Sequence, residues 1–546
     1  MPTETATQRH ERLKREQNPW QELPRLLDTL RRGIGALDPA DLNTRLRWWG
    51  LYTQGDGDGA FGGAAPYFML RVRLPNGRFS AAQARTLAGI ARDFGRGLVD
   101  VTVRQNLQFH WLEAEALPEI FGRLAAVGIT SQAACGDDPR NLTGCPLAGV
   151  DPNEYADASG PLLEANRALL ANPTFANLPK KFKGSVSGCR HWCSNPEIND
   201  AAFTARADGG YDLRVGGGLA AAPHLALALP VRVGAEQVAA VVCAVAELYR
   251  RRDELRVQRS QARLKFLFLR HGWTVERFRA ELEAVLGFRL AGAVPQAAPA
   301  QEFRDHLGLQ PQKQAGLLSA GISVLRGRMT AGQLEAVANA AERWAGGEVR
   351  ATAMQNLLVP NLRTDSASAF AAHLRRHELP LRASNFRRGV MSCTGKEFCK
   401  LAVTETKAFA AELTAELERR LPEFALPLRI NLNGCPNSCG QHWIADVGLQ
   451  GTRVRTAAGA EDGFDVYLGG ALGANARLAR KTLGRVRAAE LAPRLEALCR
   501  HFAAARRSGE AFADFVERRG TGELEAVLGQ LPQAEVLVRL REAEEA

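Results

Sequence analysis

The chain has 546 residues, 46% of them hydrophobic, which is enough for several domains with sizeable cores. Its formal charge is +11 and its pI is near 9.4, a balance that favours an acidic partner or an anionic substrate. The cations are scattered and mostly Arg, with no Lys-rich tail and no basic stripe interleaved with aromatics, so nucleic-acid binding is not expected. The polar start, MPTETATQRHERLKREQNPW, lacks the apolar core of a secretory leader. No clean apolar run reaches membrane-spanning length; Val215 to Val231 comes nearest but is broken by Gly, Pro and His224. Ten clustered cysteines suit metal ligation in a reducing compartment better than disulfides, so the expected location is the cytoplasm.

Residues 1–60 read as a helical extension. Leu23, Leu26, Leu27 and Leu30 fall at helical spacing, and Pro39 and Asp41 mark a boundary. A loop dense in Gly and Asp, GDGDGAFGGAA, follows, where the backbone can approach closely or move. An internal repeat then sets the architecture. Gly77-Arg78-Phe79-Ser80 is answered by Gly327-Arg328-Met329-Thr330, and Thr102 with Gln105-Asn106-Leu107 by Thr352 with Gln355-Asn356-Leu357, always at an offset of 250. Each copy predicts a strand, a helix capped by Ser or Thr, and a second strand. Leu117 to Ile129 and Ala369 to Leu381 are expected to add a second helix and strand per copy.

The repetition continues in LPKKFKGSVSGCRHWC against LPLRINLNGCPNSC, and in GYDLRVGGGL against GFDVYLGGAL. The expected fold is therefore α+β, two homologous halves with ferredoxin-like repeats and mixed sheets. The expected segments are 61–132 (first repeat), 133–300, 310–384 (second repeat), 385–480, and C-terminal helices over 481–546 ending in the acidic REAEEA. A duplicated fold makes a pseudo-twofold interface, a good place for a large cofactor.

Two cysteine pairs carry the strongest chemical signal. Cys393 and Cys399 lie in SCTGKEFC, and Cys435 and Cys439 in NGCPNSC. Four thiolates arriving in pairs can close a tetrahedral S4 site for zinc or an iron–sulfur cluster. Five residues between Cys393 and Cys399 is wide for a zinc knuckle but suits a cubane. The first half, by contrast, is basic. Arg71, Arg73 and Arg104 stand where the second copy has Gly321, Ser323 and Met354. Arg71 and Arg73 alternate along a predicted strand, as do Arg104, Gln108 and His110 on theirs, so each set shares a face. Arg140, Lys181 and Lys183 add further cations. One half thus offers cations and the other thiolates.

In the form CTGKEFC … NGCPNSC, the cysteine pattern resembles the sirohaem and 4Fe–4S nitrite/sulfite reductase family, ferredoxin-dependent type, over about Arg45 to Arg507. The resemblance implies both cofactors at a central site. It implies that Arg71, Arg140, Lys181 and Lys183 ring a small oxyanion. It implies that Arg73, Arg104, Gln108 and His110 contact the carboxylates of sirohaem, with Gln355 and Asn356 joining from the second half. It implies that Cys393, Cys399, Cys435 and Cys439 hold the cluster, and that Cys439 also bridges to the sirohaem iron. The reaction implied is six-electron reduction of sulfite to sulfide, or of nitrite to ammonium. Lys-x-Lys at 181 and 183 resembles sulfite-reducing members, while NLTGCPLAGVDP and NPEINDAAF resemble the nitrite reductase branch. Gly216-Gly217-Gly218 lacks the strand–turn–helix setting of a dinucleotide site, so electrons are expected from ferredoxin or another small donor protein. Two other readings stay open: a cobalamin-pathway monooxygenase relative, and a zinc-stabilised basic binding module. Cys135, Cys145, Cys189 and Cys193 are a duplication vestige or a second metal site, with Cys145 answering Cys399 and Leu142 answering Cys393.

Overall fold

A computed structural model describes residues 4–56, 67–300, 302–457 and 459–529. Most of the Gly/Asp loop, at 57–66, and the acidic end, at 541–546, lie outside the described residues. The fold divides into two compact units: Met1–Gly218 with His224–Pro299 and His306–Leu381, and Arg382–Ala546 with Leu219–Pro223 and Ala300–Asp305. Among the described residues no helix is long and apolar enough to cross a membrane.

Within the first unit the two repeats build matching sheets. Strands Phe68–Arg71, Leu98–Val101 and Leu107–Leu112 form one; Leu317–Ile322, Glu348–Ala351 and Leu357–Arg363 form the other. Ser80 and Thr330 cap helices Ala81–Phe94 and Ala331–Trp344, each closing a capping box with a Gln three residues on. The repeats also exchange short strands. Arg78–Ser80 pairs with Glu348–Ala351, and Arg328–Thr330 pairs with Leu98–Val101. The offset of 250 is thus a two-way strand exchange, with the two capped helices packed on each other. The expected last strand of each copy is not there. Thr130 makes a single bridge to Arg73, and Ser323 only a backbone bond to Pro380. The sheet edge that such a strand would extend, beside Phe68–Arg71 or Leu317–Ile322, is already taken by Leu51–Thr53 in the first copy and Gly308–Pro311 in the second, while the exchanged strands lie on the opposite edge.

The segment after each repeat carries a second kind of sheet. In the first unit, Gly184–Ser187 runs parallel to Ala201–Ala205, and Tyr211–Val215, Leu227–Val233 and Ala291–Gly292 follow antiparallel. In the second unit, Val390–Ser392, Ile430–Asn433 and Val447–Thr456 are parallel, and Gly459–Leu468 and Arg480–Arg487 continue antiparallel. Parallel strands put successive chain exits on one sheet edge. That topology gathers the loops that carry the chemistry.

Candidate functional site

The cysteine site of the second unit follows from this topology. Cys393 comes directly after Val390–Ser392, and Cys435 two residues after Ile430–Asn433, its parallel neighbour. Both loops therefore leave at the same sheet end. The Cys393 N–H donates to Leu432 O at 3.0 Å and the Gly434 N–H donates to Cys393 Sγ at 3.2 Å, knitting them together. Gly440 permits the tight return after Cys439, since a Cβ there would sit 2.6 Å from Leu432 O and 3.2 Å from Cys393 N. Burial pushes the Cys393 thiol up to about 12, with the nearby Cys439 sulfur adding to the shift. Burial also raises Cys399 and Cys435, and both feel Cys439. Buried thiols this reluctant to ionise become thiolates when a cation takes their protons' place. Cys439 alone of the four is exposed.

Among the described residues, the two groups whose three ligand atoms all lie within 4.8 Å of one another are elsewhere: Cys145/Cys189/Cys193 and His10/Glu11/Asp137. The four thiols of the second unit are thus electrostatically linked but set wider than the ligands of a single ion, which fits a cubane. His10, Glu11 and Asp137 are an ion-pair network, because Lys14, Arg256 and Arg259 already neutralise the two carboxylates.

The cations of the first unit are brought together by a second backbone device. Phe182 bridges Pro139 in parallel, with the Arg140 N–H donating to Phe182 O at 2.7 Å and the Phe182 N–H to Asp138 O at 3.0 Å. Lys-Phe-Lys therefore lies alongside Asp-Pro-Arg. Phe182 is fully buried against Tyr249, while Lys181 and Lys183 are half-buried beside it. Arg71 and Arg140 donate to the same carbonyl, Ala134 O, at 3.2 and 2.9 Å, so their guanidinium groups are neighbours. Gln108 fixes Arg71 by accepting two N–H groups at 2.6 and 2.9 Å.

The remaining expectations divide. Arg104 sits in the turn before the strand rather than on it, so it does not share the face of Gln108 and His110. It reaches Asn199, Asn141 O and Gly184 O at 2.9, 2.6 and 3.0 Å, and burial among Arg140, Arg263 and Arg73 lowers its pKa to about 9. Arg73 lies beyond the strand of Arg71. Its five N–H groups all go to protein: Asn166, Ala133 O, Pro139 O and Arg140 O. It is a strut beneath Arg140. His110 is held between Gln54 and Asp100, at 2.8 and 3.2 Å, and Asp100 also pairs with Arg328. Gln355 and Asn356 lock the repeats: Gln355 donates to Val101 O, Gln105 to Ala351 O, and Asn356 and Asn106 accept from Val324 and Leu74. Their shared motif is a symmetric clasp, which explains its recurrence in both copies.

Several residues went unread in the sequence. Asp200, fully buried, accepts from the Lys183 backbone N–H at 2.8 Å and from Arg263 at 2.7 Å. Lys265, also buried, donates to Gly218 O at 3.2 Å. Tyr52 lies among Arg71, Arg140 and Cys135, and burial pushes it up to about 12. Only tertiary packing marks these groups; RSQARLKF by itself reads as a basic loop. Burial, helped by Arg263, lowers Lys265 from 10.5 to about 7. The folded state therefore bears the full cost of this ammonium below pH 7 and sheds it as pH rises from 7 to 10.5, where only the unfolded chain stays protonated. Lys265→Met should remove that dependence. Urea midpoints of the two proteins should converge between pH 6 and pH 9, and a constant gap would contradict the assignment.

The buried Nε of Arg104 has no hydrogen-bond partner, and that of Arg140 has Asp138 Oδ1 only at ion-pair distance, 3.5 Å. Unmet guanidinium donors in a basic setting fit a polycarboxylate such as sirohaem, as the spread thiols fit a 4Fe–4S cluster. A duplicated α+β fold with an S4 site in one half and buried cations in the other defines an iron–sulfur reductase of anionic substrates. The Nitrite and sulphite reductase 4Fe-4S domain matches residues 135–290 and 383–534, and the Nitrite/Sulfite reductase ferredoxin-like half domain matches 63–127 and 310–377. The chain belongs to the nitrite/sulfite reductase family, whose members bind sirohaem and a 4Fe–4S cluster.

It is 39% identical to Sulfite reductase [ferredoxin] 2 of Mycolicibacterium paratuberculosis, over 90% of this chain and 91% of that one. It is 37% identical to a Ferredoxin--nitrite reductase of Leptolyngbya laminosa, over 88% and 93%. The solved structure of the Mycobacterium tuberculosis NirA protein superposes with a TM-score of 0.89 at 37% identity, covering 95% of this chain and 97% of that chain.

Proposed function

We propose that this chain is a ferredoxin-dependent sulfite reductase that can also turn over nitrite. The observation that carries this is the cation set around Asp-Pro-Arg and Lys-Phe-Lys, aligned by the Pro139–Phe182 bridge and with Arg71 and Arg140 sharing Ala134 O. Arg71, Arg140, Lys181 and Lys183 hold the oxyanion. Guanidinium groups match paired oxygens, and an ammonium both polarises the S–O or N–O bond and hands on a proton as oxygen leaves as water. Gln108 and Arg73 keep Arg71 and Arg140 in place, and Arg104 offers its charge to a sirohaem carboxylate. Cys393, Cys399, Cys435 and Cys439 would hold the cluster, and the exposed Cys439 is the one of the four that sirohaem would also reach. When bound, these cofactors would supply single-electron chemistry to the anion. The donor is ferredoxin, whose acidity complements a chain of charge +11, and the setting is cytoplasmic.

The reading is tested by steady-state kcat/KM for sulfite and nitrite, with reduced ferredoxin as donor. Sulfite should be preferred, and Lys183→Asn should move the ratio towards nitrite by about tenfold, the worth of one well-placed charge–anion contact. A wild-type preference for nitrite would overturn the substrate assignment. An unchanged ratio in the variant would remove Lys183 as its determinant.

A further inference from the structure

The first unit holds its own counterpart of the cysteine site, and the strand register shows how the two correspond. Cys189 and Cys435 each follow their strand, Gly184–Ser187 or Ile430–Asn433, by two residues. Cys193 and Cys439 each follow four later. Ser185 pairs in parallel with Thr143, and Asn431, at the matching strand position, with Met391. Two residues beyond those partners stand Cys145 and Cys393. Cys145 therefore answers Cys393, and not Cys399, the partner expected from the internal repeat. Three of the four positions are kept in the first half, and the missing one is that of Cys399.

The three sulfurs are gathered far more tightly than their counterparts. All lie within 4.8 Å of one another, and Cys189 and Cys193 Sγ are 3.2 Å apart. Thiolates on one tetrahedral zinc, at about 2.3 Å each, stand about 3.8 Å apart. A cubane interposes an iron and its sulfides between any two ligands and needs more room. Cys145 and Cys189 are buried and Cys193 half-buried. Leu147, Val150 and Leu358 wall the site with apolar surface. The His191 N–H donates to Cys189 Sγ at 3.3 Å, a contact that favours thiolate. No nearer role for three converging thiols follows from packing, because a small hydrophobe would fill the same wall without polar cost.

We propose that Cys145, Cys189 and Cys193 bind a single soft d10 cation, with Zn2+ as its representative, as a second metal site distinct from the cluster. Binding replaces up to three thiol protons with one divalent ion, so protons are released and affinity rises with pH. The site is independent of which oxyanion the enzyme reduces. Its role is to pin the loop 145–150 to the loop 189–195.

The test uses the full-length, cofactor-loaded enzyme, incubated with Zn2+, desalted and analysed for metals. Wild type should retain about one zinc per chain, and Cys145→Ser and Cys193→Ser at least about tenfold less, at unchanged iron content and sirohaem absorbance. Equal zinc in wild type and variants would overturn the proposal. Should the variants lose iron as well, the wild type decides alone. Mass spectrometry after brief alkylation, with and without Zn2+, should show Cys193 protected by zinc. Unchanged labelling, or recovery of a Cys189–Cys193 disulfide that excludes zinc, would overturn it.

Discussion

Cys439→Ser should abolish sirohaem binding and turnover together, while Cys499→Ser should leave both intact. Cys499 is buried in an apolar helix face, where a serine costs only stability. Cys439 differs from the other three members of its set by its exposure, and all three feel its charge. A sulfur proposed to meet two cofactors would not be enclosed by protein, and a hydroxyl is too hard and too basic a group to replace a shared thiolate. Activity should fall to the background of the assay, a loss of at least about a thousandfold, as when a group required for the chemistry is removed. The check is sirohaem absorbance, iron content and sulfite turnover on one preparation. Normal absorbance with normal turnover would rule out the bridging role. Loss of iron from all sites would instead show that Cys439 is needed first for the cluster.

Asp200→Asn should be the most damaging change away from the reacting groups. Its carboxylate accepts from Arg263 at 2.7 and 3.3 Å and from the Lys183 N–H at 2.8 Å, with no exposed surface. Its charge also supports the half-buried Arg104. Removing it leaves Arg263 charged, buried and uncompensated, and breaking a buried pair this way costs about 3–5 kcal/mol. The strand start at Lys183 also loses an anchor. Urea unfolding should show the stability loss, and kcat for sulfite should fall with it, because Lys183 is set by that backbone contact. Lys183→Asn leaves the anchor in place, so it should alter substrate preference without comparable loss of stability. A stable Asp200→Asn protein would mean that Arg263 finds another partner.

Much of this molecule was legible in the sequence because duplication prints the same local rules twice. The capped helix starts at Ser80 and Thr330, the Gln-Asn clasp and the Gly-Cys loops all recur at readable spacing. The paired cysteines pointed to a metal site, since thiolate ligands must come from a few fixed positions. What the sequence fell short of was long-range and three-dimensional. Alternation along Leu70 to Arg73 placed Arg71 and Arg73 on one face, but the strand ends at Arg71 and Arg73 is consumed by Asn166 and three carbonyls. The resemblance implied sirohaem contacts for Gln355, Asn356 and His110; the fold adds hydrogen bonds from Gln355 to Val101 O, from the Val324 N–H to Asn356, and between His110 and Gln54 and Asp100.

Sequence by itself determined the duplication, the four cysteines of the second half and the excess of cations in the first, because composition and spacing are local quantities. Tertiary structure decided which cations converge, that Asp200 and Lys265 sit among them, and that Cys145 answers Cys393. Those facts depend on parallel strand register, which places residues tens of positions apart on one sheet edge, and no local pattern encodes that register.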